Sequence, residues 1–284
     1  MQFGILGALE VVDREEHLSL RSIQQRTLLA LLLCHHGKVA HSDVLIDALW
    51  GAEAGDAGGA RLRLQLHRLR RTLGDCAPIL HRSAGYQLHV PSEAVDARRF
   101  EDLVRQGRQA IATWNDARGS DLLRAALDMW RGPALSGLND ISLLRQHATR
   151  LEEQRLAALA DRVEADLRLR RHGDLIPELS ELVREHPLRE KFRAQLMIAL
   201  YHSGRQADAL EVYRDGRDIL SEDLGLEPSP ELRRLQMAIL AMDASLSLGP
   251  PPPAAPARGA QRRVHRRTAL RHAPTCPHCA RRVR

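Results

Sequence analysis

Lysine is almost missing from this chain. Of 42 basic side chains only Lys38 and Lys191 are lysines, so nearly every fixed cation is a planar guanidinium, a group suited to bidentate contact with phosphate or guanine. Aromatics are also scarce, at 3%, which argues against a single-strand binder built on base-stacking platforms. The four cysteines, Cys34, Cys76, Cys276 and Cys279, are too few and too scattered to staple a secreted scaffold, and a reducing cytoplasm fits them. The longest early apolar run, LLALLL at 28–33, is too short to span a bilayer, and no signal-peptide pattern opens the chain. A soluble, cytoplasmic protein with no membrane partner is expected.

Chemistry-bearing motifs are equally sparse. Gly37-Lys38 has neither the earlier glycine nor the following hydroxyl of a phosphate-binding loop. The histidines are scattered, no nucleophile elbow occurs, and no carboxylate pair stands out. The expectation is therefore a protein that is not an enzyme and takes no cofactor. Acid is missing altogether from residues 249–284, which hold nine arginines. The formal charge of +6 belongs to that tail, since the remainder has 33 basic against 36 acidic side chains. Any electrostatic argument must then rest on local clusters.

What is present is organised. A length of 284 residues exceeds one ordinary hydrophobic core, so two domains are expected. MQFGILGALEVV and HLSL are short, partly alternating apolar pieces and read as a small antiparallel sheet. SIQQRTLLALLLCHH reads as a helix with Ile23, Leu28, Leu31 and Leu32 roughly on one side, stopped by Gly37. HSDVLIDALWG reads as a second helix, capped by Ser42 and ended by Gly51. GAEAGDAGG is a flexible loop leading into RLRLQLHRLRR.

This third helix is cationic and apolar at once. At about 100° per residue, Leu62, Leu66, Leu69 and Leu73 fall in one stripe, while Arg61, Leu64, His67, Arg68 and Arg71 take the far side. One face docks, and the other offers guanidinium groups and one apolar side chain. A solvated surface helix would show a similar pattern. The next segment, ILHRSAGYQLHV, forms a hairpin around Ser83-Ala84-Gly85 with Arg82 near its tip. Sheet, three helices and hairpin is the order of a winged helix, whose last helix enters the major groove while the hairpin follows the backbone or minor groove. Candidate DNA-contacting residues are Arg61, Leu64, Gln65, His67, Arg68, Arg71, Arg82 and Ser83. Trp50 reads mainly as core, with an indole N–H that could reach phosphate.

Residues 1 to about 90 resemble the OmpR-like winged helix of the Streptomyces antibiotic regulatory protein family in FGILGALEV, QQRTLLALLL, SDVLIDALWG, LHRLRRTLG and AGYQLHV. VDARRFEDLV, ALDMWRGPAL, RLEEQRLAALADRVEADL and LGLEPSPELRRLQMAIL resemble that family's bacterial transcriptional activation domain. Independently of that likeness, GRQADALEVY places Ala209 and Tyr213 at tetratricopeptide spacing, with Gly204 at the turn before them and Pro187 closing the preceding unit. The fold expected is mainly α: an N-terminal winged helix-turn-helix (α+β, residues 1–92), then an all-α tetratricopeptide-like domain (93–243), then a disordered Pro/Arg-rich tail (244–284).

The resemblance implies an activator of a secondary-metabolite (antibiotic) gene cluster. It would bind direct repeats in double-stranded promoter DNA as a homodimer and recruit RNA polymerase holoenzyme, in the cytoplasm at the nucleoid. The alternative is a helical-repeat interaction or effector-sensing protein with only nonspecific DNA binding. In the tail, Cys276-Pro-His-Cys279 could supply two zinc ligands, but a single C-x-x-C without a partner pair leaves no metal site as the expectation.

Overall fold

The computed structural model describes residues 1–243 and Leu246, so the expectations for the tail and for Cys276 and Cys279 lie outside the described residues. Strands β1 (Gln2–Gly4), β2 (Glu10–Asp13) and β3 (Glu16–His17) form the expected antiparallel sheet, with Phe3 opposite Val11 and Val12 opposite His17. The tight turn between β2 and β3 holds Arg14 and Glu15 at positive φ, as a two-residue hairpin of this twist requires.

Helix α1 (Ile23–Cys34) is buried continuously from Thr27 to Leu33. A helix that is apolar on all sides belongs in the middle of a core. Ile23, expected on its inner side, is instead 55% exposed, because it occupies the first helical position ahead of the enclosed stretch. At the other end, the His35 ring nitrogen Nδ1 lies 2.8 Å from the Leu31 carbonyl and the His36 Nε2 lies 2.9 Å from that of Val90. Both imidazoles serve chain carbonyls, and Gly37 turns the chain at a φ of +78°.

Strand β4 (Ala40–His41) leads into α2 (Ser42–Trp50), followed by α3 (Gly58–Leu73) and the hairpin β5 (Ile79–Arg82) and β6 (Gly85–Leu88). The second sheet has the order β4-β6-β5. Ser42 is not the cap expected of it. His41 precedes the helix, no side chain caps it, and the Ser42 amide donates to the Ala84 carbonyl at 3.1 Å. The two-residue strand β4 already pairs with the hairpin, so the wing supplies what a cap would have supplied. Gly85 is required there, since a Cβ would collide with the Ala40 carbonyl. The loop after α2 is also shorter than expected: Gly51–Ala54 forms a 3-10 turn, and Gly58 and Gly59 already belong to α3.

The helical half comprises α4 (Asp96–Ala112), α5 (Asp116–Leu127), α6 (Ser142–Arg168), α7 (His172–Glu185), α8 (Glu190–His202), α9 (Gln206–Leu224) and α10 (Pro230–Leu240). Gly107 and Gly119 let α4 and α5 approach closely, a Cβ on either meeting Leu123 or Ile111. Gly204 turns α8 into α9 at a φ of +77°, and Ala209 and Tyr213 are buried behind it.

Two hydrophobic cores follow, and their border is not the border between winged helix and all-helical half. Phe3, Leu31, Leu66, Phe100, Leu135 and Leu151 share one core, while Val163, Phe192, Met197, Tyr213 and Ile239 share the other. Helix α6, 27 residues long and so about 40 Å at 1.5 Å per residue, contributes to both. The winged helix is therefore sealed onto α4, α5 and the first half of α6.

Asp96 fixes the seam. Its carboxylate accepts from the amides of Ile5 (2.8 Å) and Leu6 (3.0 Å) and from its own neighbour Ala97 (2.7 Å), and Arg131 reaches it at 3.1 Å. The Arg131 amide donates to the Leu6 carbonyl, and its side chain also pairs with Glu10. Burial nevertheless raises the Asp96 pKa above the ordinary carboxylate value, against the opposing pull of those amides and of Arg131.

Candidate nucleic-acid interface

Helix α3 is divided lengthwise as the leucine spacing predicts. Leu62, Leu66, Leu69 and Leu73 are at most 2% exposed, and Arg61, Leu64, His67, Arg68 and Arg71 stand on the open face. Burying four leucines at about 1.5–3 kcal/mol each holds the helix against α1 and α2 without help from its charged side. The helix can then carry five arginines in eleven positions, three of them on the open face, with no acid among them.

Two arginines are positioned by their surroundings. Arg61 donates to the Glu53 carbonyl at 3.1 Å, tying the start of the helix to the preceding 3-10 turn. Arg70 donates through Nε and Nη2 to the Ile79 carbonyl at 3.1 and 2.8 Å and lies over the Tyr86 ring. Arg70 thus braces the wing against the helix. At the hairpin, Arg82 donates to Gln87 at 3.1 Å, and both Arg82 and Ser83 are exposed beside the two-residue turn. The open face of α3 and the tip of the hairpin are the two surfaces a winged helix presents to duplex DNA.

Gln65 departs from the expectation. It is 7% exposed, and its amide nitrogen donates to Gln24 of α1 at 2.7 Å. The residue sits within the leucine stripe, where Gln24 meets its amide nitrogen while its buried Oε1 has no hydrogen-bond partner among the described residues. Trp50 is half-buried and packs on the first core, as its core reading had it. Arg63 was missed: it is exposed on the flank of α3, one turn before His67, and the wheel position of a cation beside the open stripe was the signal available.

A model of the family described as "Transcriptional regulatory protein, C terminal" matches residues 15–88, and one of "Bacterial transcriptional activator domain" matches residues 95–240. The chain is 36% identical over 266 residues to the regulatory protein DnrI of Streptomyces peucetius, covering 90% of this chain and 98% of that protein. The chain belongs to the Streptomyces antibiotic regulatory protein family. Members of this family are transcriptional regulators rather than enzymes. It is 41% identical over 248 residues to the regulatory protein AfsR of Streptomyces coelicolor, covering 87% of this chain but 25% of that entire protein. The chain thus spans a quarter of the length of AfsR.

Among solved structures, that of EmbR from Mycobacterium tuberculosis in complex with a low-affinity phosphopeptide superposes with a TM-score of 0.82 at 33% identity, over 85% of this chain and 65% of that one. The winged helix followed by an all-helical domain is the fold the family likeness implied. No helix among the described residues is long and apolar enough to cross a membrane.

Proposed function

We propose that this protein is a sequence-specific DNA-binding activator of a secondary-metabolite gene cluster. It binds direct repeats near promoters as paired protomers and recruits RNA polymerase holoenzyme, at the nucleoid in the cytoplasm. The observation that carries the reading is the division of α3: four leucines inward, and a cationic face without a carboxylate outward. In this reading α3 enters the major groove. Arg68, midway along the open face, contacts a base or anchors the groove, with Leu64 and His67 beside it. Arg61, Arg71, Arg82 and Ser83 hold the phosphate backbone on either side. Arg63 joins the phosphate-facing group, Gln65 supports α3 from within, and Trp50 acts through packing.

The residues up to 92 form the DNA-binding part, and residues 93–243 serve pairing of protomers and contact with polymerase. The shared core supports a further step: the helical half holds the winged helix in a fixed orientation, so that two paired chains present two recognition helices at a set spacing. Footprinting with the purified protein on promoters of its neighbouring genes tests the proposal. Protection of a short, repeated site is expected. Uniform coverage without a preferred site would instead support the interaction-protein alternative.

A further inference from the structure

Helices α5, α6 and α7 enclose a cleft of about 670 Å³ that shares no residue with α3 or the wing. Its floor is Asp166, whose side chain is 1% exposed. One carboxylate oxygen accepts from Ser120 and Arg171, both at 2.7 Å. The other accepts from Arg162 at 3.0 Å and Arg124 at 3.3 Å. A buried carboxylate is neutralised by one cation, and this one has three guanidinium groups around it.

Arg162 is 7% exposed and also holds Glu178, so it belongs to the framework. Arg124 and Arg171 differ. They are 48% and 42% exposed, and Asp166 takes one N–H from each. Each guanidinium carries five donors, so both Arg124 and Arg171 keep donors free of Asp166 in the lining of the cleft. The opposite charge lines the same cleft: Asp128 and Asp174 are exposed and have no ion-pair partner among the described residues. Leucines from all three helices form the wall between.

The chemistry of an occupant follows from this layout. Four arginines and four carboxylates line the cleft, so no net field favours a polyanion such as a nucleotide triphosphate or nucleic acid. Both signs instead keep spare capacity in the same cleft, as donors on Arg124 and Arg171 and as acceptors on Asp128 and Asp174. We propose that this cleft binds a small zwitterionic molecule, its carboxylate on Arg124 and Arg171 and its ammonium group toward Asp128 and Asp174. The volume lies within the range of small-molecule sites, and the cleft gives the helical half a ligand in addition to the partners proposed above.

Titration calorimetry of the full chain with the twenty free L-amino acids and zwitterionic trialanine tests this. At least one probe is expected to bind saturably, and acetylating its amine or amidating its carboxylate is expected to weaken it tenfold or more. Arg171→Gln should weaken the same probe similarly. Because Arg171 also serves the buried Asp166, Asp174→Asn is the companion variant: its residue is exposed and unpaired, its melting curve should match wild type, and its affinity should fall. Absence of saturable binding by every probe, equal binding of the blocked forms, or unchanged affinity in both variants would overturn the proposal.

Discussion

Arginine is used in two ways in this molecule, and the difference marks its surfaces. In the helical half Arg98, Arg108, Arg162, Arg189 and Arg205 each hold a carboxylate. On the winged helix, no ion pair among the described residues involves Arg61, Arg63, Arg68, Arg71 or Arg82. Most arginines of the helical half are paired in this way, and those of α3 and the wing are not. Paired guanidiniums are used on carboxylates of this chain, within one helix as for Arg98 and Arg205 or between helices as for Arg108 and Arg162, whereas those on a helix anchored by leucines meet no carboxylate of this chain. What sets the proposed DNA-binding face apart is therefore the clustering of unpaired guanidiniums on one acid-free face, rather than the count of charges.

The sharpest way to break the comparison is to remove a carboxylate from the paired class. Asp166→Ala takes the buried partner from Arg162 and leaves it only the more exposed Glu178, and loss of one partner of a buried pair costs up to about 3–5 kcal/mol. A large drop in the thermal midpoint is expected, and a melting curve like wild type would show the network to be dispensable. In the unpaired class, Arg68→Ala should leave the fold unchanged while costing about 1–3 kcal/mol of operator binding and relaxing preference at one base position. Quantitative binding to single-base operator variants checks this, and full discrimination by the variant would remove Arg68 from the reading face.

Much of that face was legible in the sequence because leucine spacing is local. Leu62, Leu66, Leu69 and Leu73 define an inner stripe by themselves, and the arginines opposite them follow. Gln65 was not legible, since its burial depends on Gln24, 41 positions earlier. Ser42 failed as a cap for the same kind of reason: a strand of two residues, too short to carry a pattern, pairs with a hairpin from the far end of the domain. The same limit hid the seam. VDARRF reads as the start of a separate helical region, yet Asp96 holds amides 90 and 91 positions away and Phe100 shares a core with Phe3. Local periodicity reports faces, and only long-range packing reports which faces meet.

A smaller effect concerns the histidines of the helical half. His172 is 8% exposed, has no hydrogen-bond partner on either ring nitrogen, and stacks on His202 at 4.6 Å. Burial first, then the neighbouring His202 and Arg170, lower its pKa from 6.5 to about 4. Between those values the unfolded chain binds the proton and the folded chain does not, so stability rises with pH across the window and is lost as pH falls through it. His172→Phe should flatten the thermal midpoint against pH between about 6.5 and 4, with the lowered pKa of His202 leaving a residual slope. A variant as acid-sensitive as wild type would assign the effect elsewhere. Smallest of all should be Arg105→Ala, which removes an exposed pair with Asp102. Such pairs contribute about 0–1 kcal/mol, so both melting and DNA binding should stay near wild type.

The salt dependence of operator affinity in two matched triple variants bears most directly on the division of arginines. Replacing Arg61, Arg71 and Arg82 by glutamine should weaken binding to all sequences alike and lower the slope of log K against log salt by about three, each phosphate contact contributing roughly 0.9. Replacing the paired Arg105, Arg108 and Arg184 should leave both affinity and slope at wild-type values, although the charge removed is the same. Equal losses in the two variants would contradict the account, because the surface would then be responding to net charge and not to guanidinium groups without a carboxylate partner on one face.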